Sequence, residues 1–208
     1  MMKLYYSAGS CSTSCHITLE ESGLKYEAIE VDWDNAADPN HEVVAKLNPL
    51  GTLPILLTEE GKQLDQNVAI HTYIADKAGS KLLGPVGSYE RALAMNWLAF
   101  ATSDLHKSIG ALFSTQGFST VKSEQDAFRK FYKGKSADML AYLDTKLEGQ
   151  DYLCGKQFTP ADAYVFVVVG WTKWLEIPTT DFKNLERYMA RVAARPAVAK
   201  VMKEEGLA

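Results

Sequence analysis

The chain has 208 residues, of which 47% are apolar and 23% charged, a composition that suits a packed globular fold and argues against disorder. Its net charge of −4 comes with no run of Lys and Arg long enough to track a phosphate backbone, so nucleic acid is excluded as an expected partner. The opening Met-Met-Lys-Leu-Tyr-Tyr enters a strand pattern without the apolar core of a leader peptide, and the longest apolar run, 164–169, is too short to cross a bilayer. A cytoplasmic chain with no membrane partner is the expectation.

In chain order, residues 3–7 read as a strand, 12–22 as a helix stopped at Gly23, and 26–31 as a second strand, which together make a βαβ unit. Residues 38–47 fit a short helix, 54–57 and 62–64 two strands around the turn Glu60-Gly61, and 68–77 a further helix, a ββα unit. The stretch 79–88 holds three glycines and Pro85. A linker over 81–88 is therefore expected between a domain of residues 1–80 and one of residues 89–208. Beyond it the spacing is helical over 89–114, 122–147, 160–174, 184–194 and 197–205, a bundle. The run Val165 to Val169 favours a strand by β-branched propensity, but Thr159-Pro160-Ala161-Asp162 is a capping signature that predicts a buried helix instead. The fold class is thus α/β plus all-α.

Three cysteines, Cys11, Cys15 and Cys154, are too few for a disulfide scaffold and lack the paired spacing of structural zinc, so free thiols and no metal are expected. Cys11 lies in Gly9-Ser10-Cys11-Ser12 between the first strand and first helix, where unpaired N–H groups and the helix dipole favour a thiolate. By position alone it is either a reactive thiol or a small hydrophobe plugging the turn. The spacing Cys11-Ser12-Thr13-Ser14 puts a hydroxyl where a resolving thiol would stand, so a mixed disulfide needs a second small thiol. Cys15 and Cys154 read as packing residues.

In Asn48-Pro49-Leu50-Gly51-Thr52-Leu53-Pro54, a cis peptide before Pro54 would turn the Leu53 backbone outward, able to pair with an extended peptide; the alternative is an ordinary tight turn. Gln66-Asn67 precedes a helix, where a carboxylate would bind or where the pair simply caps. His106 and Lys107 fall in the first long helix of the bundle, and Trp171 and Trp174 are core or pocket residues.

Taken together, Tyr5 to Ser12, Asn48 to Pro54, Val68-Ala69-Ile70, Trp97 through Asp104-Leu105-His106-Lys107, Phe158 to Tyr164 and Glu205-Gly206-Leu207 make the whole chain resemble the bacterial beta-class glutathione transferases. The resemblance implies a thioredoxin-like first domain, a homodimer, glutathione along the edge of that domain, and an acceptor pocket between the domains. It places Cys11 at the glutathione sulfur, the Leu53 backbone on the cysteinyl unit beside cis-Pro54, and Gln66 and Asn67 on the γ-glutamyl end. His106, with Lys107 beside it, would approach the sulfur, Asp104 would reach the other subunit's site, and Trp171 would line the acceptor pocket. Conjugation of electrophiles and thiol-disulfide exchange are the implied activities; a catalytically weak ligand-binding or protein-interaction module is the alternative. The chain departs from the family pattern at Gln66-Asn67, usually Glu-Gly or Glu-Ser, at Ala36 and Ala99, often Lys and Asn, and at Cys15, commonly Pro. These changes are expected to weaken glutathione binding by about 1 to 3 kcal/mol.

Overall fold

A computed structural model of the chain describes residues 1–79 and 81–208. β1 (Met2–Tyr6), α1 (Ser12–Ser22), β2 (Tyr26–Glu30), α2 (Asn40–Leu47), β3 (Ile55–Leu57), β4 (Gln63–Leu64) and α3 (Asn67–Lys77) follow the βαβ-ββα order of a thioredoxin-like fold. The strands form a sheet of order β2-β1-β3-β4, with β1 parallel to β2 and antiparallel to β3, and β4 antiparallel to β3. Alternation along β1 sends Met2, Leu4 and Tyr6 to one face, against Cys15 and Leu19 of α1 and Ile70 and Ile74 of α3. Tyr5 points to the other face, where it packs with Val31, Val44 and Ile55. A strand buried on both faces needs apolar residues at successive positions, and Leu4-Tyr5-Tyr6 supplies them. α1 ends at Gly23, whose φ of 69° is the left-handed stop the sequence implied. β3 begins at Ile55 rather than Pro54, because proline has no N–H for the ladder.

The helical part comprises α4 (Tyr89–Phe100), a π turn (Ala101–Leu105), α5 (His106–Gly110), a 3-10 turn (Ala111–Ser114), α6 (Thr115–Phe118), α7 (Lys122–Lys146), α8 (Pro160–Gly170), α9 (Lys183–Ala193) and α10 (Pro196–Glu204). The single helix expected over 89–114 is interrupted where Thr102 and Ser103 donate their hydroxyls to the carbonyls of Leu98 and Ala99, each at 2.9 Å, in competition with the regular ladder. α8 is a helix despite its β-branched run. Thr159 and Asp162 form a reciprocal capping box, Pro160 occupies the first turn, and residues 160–169 are all buried. The Asp162 carboxylate accepts from the Thr159 N–H at 2.7 Å, the Thr159 hydroxyl at 2.9 Å and the Leu153 N–H at 2.9 Å.

Two compact units result: Met1–Arg91 together with Ala193–Ala208, and Ala92–Val192. The expected domain boundary at residue 80 lies outside the described residues. α10, which the spacing put in the bundle, packs instead on α1 in the first unit. Polar anchors hold it there. Arg195 grips the Glu21 carboxylate through Nε and Nη2, at 2.5 and 2.8 Å, and Lys200 reaches Glu20 at 2.8 Å. Among the described residues, no helix is long and apolar enough to cross a membrane.

Candidate active site

In the first unit, the loop from Ser7 to Ser12 is shaped by hydroxyls. The Ser12 Oγ accepts from the Ser7 N–H at 3.0 Å and lies 2.6 Å from the Ser10 Oγ, while Ser10 takes the Ser12 N–H through its side chain and the Thr13 N–H through its carbonyl. Gly9, with φ of 72°, turns its N–H to the Glu205 carboxylate at 3.2 Å. The same buried carboxylate accepts from the Thr13 hydroxyl at 2.6 Å and meets His16 Nδ1 at 2.8 Å. The C-terminal segment therefore pins the loop that carries Cys11.

Cys11 is half-buried at the N-cap of α1, immediately before Ser12, and already has helical φ and ψ. Ser10 engages the N–H groups of Ser12 and Thr13, so those two amides are not the open donors that the sequence suggested for the thiol. The Cys11 Sγ instead lies 3.6 Å from the Leu53 carbonyl oxygen. The Leu53-Pro54 peptide is cis, as the sequence implied, and the Leu53 N–H has no hydrogen-bond partner among the described residues. A thiol and an open main-chain edge thus face one another, and this pairing suits a cysteine-containing peptide laid beside the sheet.

At the start of α3, Gln66 is exposed with extended backbone, and its side chain does not cap the helix. The first N–H groups of an 11-residue helix are thereby open to an anion. Asn67 is only 7% exposed and its side chain turns inward, where Oδ1 accepts from the Cys15 thiol at 3.0 Å. Of the two expected amides, only Gln66 presents its side chain to solvent. Two departures from the family pattern therefore meet each other. Burial pushes the Cys15 thiol well above its ordinary range, which keeps it a neutral donor. His71 completes the cluster, with Nε2 at 3.1 Å from Ser14 Oγ and Nδ1 at 2.9 Å from Thr18 Oγ1; burial pushes it down to about 3, so it stays neutral.

In the second unit, half-buried His106 sits one residue past the π turn. Its Nδ1 lies 2.7 Å from the hydroxyl of buried Tyr164 on α8, and its ring meets the edge of Trp171 at 4.8 Å. Gly110 makes room for that ring: a Cβ there would fall 2.9 Å from the His106 Cδ2 and 3.3 Å from Trp171. Burial, assisted by the Lys107 charge, lowers the His106 pKa to about 4, so the imidazole is neutral at pH 7. A Tyr164 hydroxyl that donates to Nδ1 would leave the ring proton on Nε2. Asp104 and Lys107 are exposed, Trp171 is buried against His106 and Phe113, and Trp174 is 58% exposed.

Tyr164, Gly110, Glu205 and His71 are residues to which sequence reasoning assigned no task, and Asn67, expected on the γ-glutamyl end, bonds Cys15 instead. In the reading that has His106 act on a thiol substrate, Tyr164→Phe is expected to lower kcat about tenfold with KM for that thiol unchanged, because the hydroxyl 2.7 Å from Nδ1 is lost. Steady-state kinetics across pH 5 to 8 check this. An unaltered kcat would leave the contact a packing feature.

The glutathione S-transferase N-terminal domain family matches residues 1–76, and the C-terminal domain family matches residues 103–205. The chain is 32% identical to glutathione S-transferase GstA of Escherichia coli O157:H7 over 99% of this chain and 100% of that protein. Among solved structures, a sphingomonad glutathione S-transferase complexed with glutathione is 34% identical with a TM-score of 0.87, over 99% of this chain and 100% of that one. A beta-class glutathione S-transferase of Sphingomonas chungbukensis is 32% identical with a TM-score of 0.87 over the same shares.

Proposed function

The chain belongs to the glutathione S-transferase family, and on that premise we propose that it brings the glutathione thiol to small electrophiles and exchanges it with disulfides through Cys11. The observation that carries this reading is the half-buried Cys11 Sγ, 3.6 Å from the carbonyl of Leu53, whose own N–H is open. Glutathione is itself a cysteine-containing peptide, so its cysteinyl unit suits that edge. Its γ-glutamyl carboxylate suits the open start of α3 beside Gln66.

In exchange, the Cys11 thiolate attacks a disulfide sulfur, one thiolate leaves, and a mixed disulfide remains on Cys11. A glutathione thiolate then attacks that bond and releases Cys11. Ser14 stands where a resolving cysteine would, so the second thiol comes from solution. In conjugation, Cys11 and the neutral His106 donate toward the glutathione sulfur and favour its thiolate form. The family likeness supports both roles, along with Lys107 as a nearby positive charge and Trp171 as part of the acceptor's apolar surroundings. A homodimer with Asp104 reaching the partner subunit's site, and residence in the cytoplasm, extend the same reading.

Isothermal titration with reduced glutathione tests it. Binding in the micromolar to low-millimolar range is expected, weakened from the family's level by Gln66 and by Ala36. No heat at any accessible concentration would contradict the proposal.

A further inference from the structure

Apart from the thiol site, the first unit holds a cleft of about 580 Å³ flanked by α1, β2 and α10, a volume within the roughly 300–1,000 Å³ of small-molecule sites. Its inner wall is aromatic. Tyr6 packs against His16 with centroids 5.0 Å apart, and His16 against Tyr26 at 5.5 Å. Leu24, Ala28 and Met1 add apolar surface. Tyr6 is 6% exposed, yet its hydroxyl has no hydrogen-bond partner among the described residues. Because none of the fully buried polar side-chain atoms among the described residues lacks a partner, that hydroxyl must keep its opening to the cleft that Tyr6 lines.

Three carboxylates act on this hydroxyl. Glu204, Glu205 and Glu30 all bear on Tyr6 and, together with the larger effect of burial, push it up to about 12, so it remains a neutral phenol. The cations are otherwise engaged or peripheral. Lys200 is held by Glu20 at 2.8 Å, His16 lies between Glu205 at 2.8 Å and Glu204 at 3.7 Å, and Lys25 is exposed. Glu204 keeps a partly exposed carboxylate whose ion pairs are long, 3.7 Å to His16 and 3.9 Å to Lys200. An acceptor oxygen on Tyr6, a loosely paired carboxylate and a wall of tilted and edge-on aromatic rings are features that suit a cation with a hydrocarbon stem.

We propose that this cleft is a second small-molecule site that takes an organic ammonium with an apolar stem, the ammonium between the Tyr6 hydroxyl and the Glu204 carboxylate and the stem along Tyr26 and Leu24. Its lining includes none of Cys11, Leu53 and Gln66, so glutathione is not expected to compete for it.

Titration of 2-phenylethylammonium into the full chain, with 3-phenylpropanoate as a shape-matched anion, tests the proposal. Saturable binding of the amine alone is expected. Tyr6→Phe, which keeps the ring and removes the hydroxyl, and Glu204→Gln are each expected to weaken it about tenfold, the loss of one charge-assisted hydrogen bond. Glutathione titration is expected to be unchanged in both variants. Equal amine affinity in both variants, tighter binding of the propanoate, or no saturable amine binding would each overturn the assignment. Should Tyr6→Phe fail to fold, the exposed-side Glu204→Gln gives the same discrimination.

Discussion

Asp162→Ala is expected to lower the unfolding free energy by about 3 to 5 kcal/mol. The carboxylate accepts from two buried main-chain N–H groups, those of Leu153 and Thr159, and from the Thr159 hydroxyl. Alanine leaves both amides without an acceptor, at about 1–3 kcal/mol each, and one of the two is the Asp162 half of the capping box, so the loss centres on about 4 kcal/mol. Against a total stability of about 5–15 kcal/mol, this brings the fold near its limit. Asp162→Asn retains one acceptor oxygen and no charge, so it is expected to lose less than half as much. The pH dependence has a definite sign. Burial raises the Asp162 pKa to about 6 from its ordinary 3.8, so the folded state holds the extra proton between those values. Its contribution is therefore full below pH 3.8 and is lost as pH rises through 6. The gap between wild type and Asp162→Ala in urea unfolding should accordingly be wider at pH 4 than at pH 7; a gap that narrows toward acid would contradict this account of the cap.

Cys11→Ser is expected to separate the two proposed activities. Disulfide exchange needs a sulfur that forms and breaks an S–S bond, and a serine hydroxyl remains protonated and cannot. Exchange with a small dialkyl disulfide should fall to the rate of glutathione alone. Conjugation with an activated aryl halide asks only for a donor near the glutathione sulfur, which serine supplies, so it should stay within about tenfold of wild type. Loss of both activities together would mean that Cys11 holds the loop in shape. That loop is already fixed by Ser12, Ser10 and Glu205, which argues for separation.

Much of this architecture is legible along the chain because its determinants are local. α1 runs from Ser12 to Ser22 as its spacing and Gly23 require, and the Thr159-Asp162 box overrides the strand propensity of Val165 to Val169 because both partners lie within one turn. Features set by segments far apart in sequence are not legible. The bond from Gly9 to Glu205 spans 196 residues, and the placement of α10 on α1 rests on such polar contacts. A helical period says only that α10 is a helix. The π turn depends on hydroxyls of Thr102 and Ser103 that any helix surface tolerates. The site shows the same division. Cys11, Leu53-Pro54 and Gln66 stand out by their positions at element starts. The contacts of Tyr164 with His106 and of Asn67 with Cys15 join different helices, and no local pattern announces them. Asn67 reads as a surface amide at a helix start, yet a thiol on the facing helix draws it inward.

In the proposed exchange, Cys11 carries glutathione through a disulfide bond. Intact mass of the full chain after incubation with oxidised glutathione, with and without reductant, measures it directly, with Cys11→Ser as the control. One glutathione adduct per chain is expected, removed by reductant and absent from Cys11→Ser. An unmodified wild-type chain, or an adduct that persists in Cys11→Ser, would contradict it.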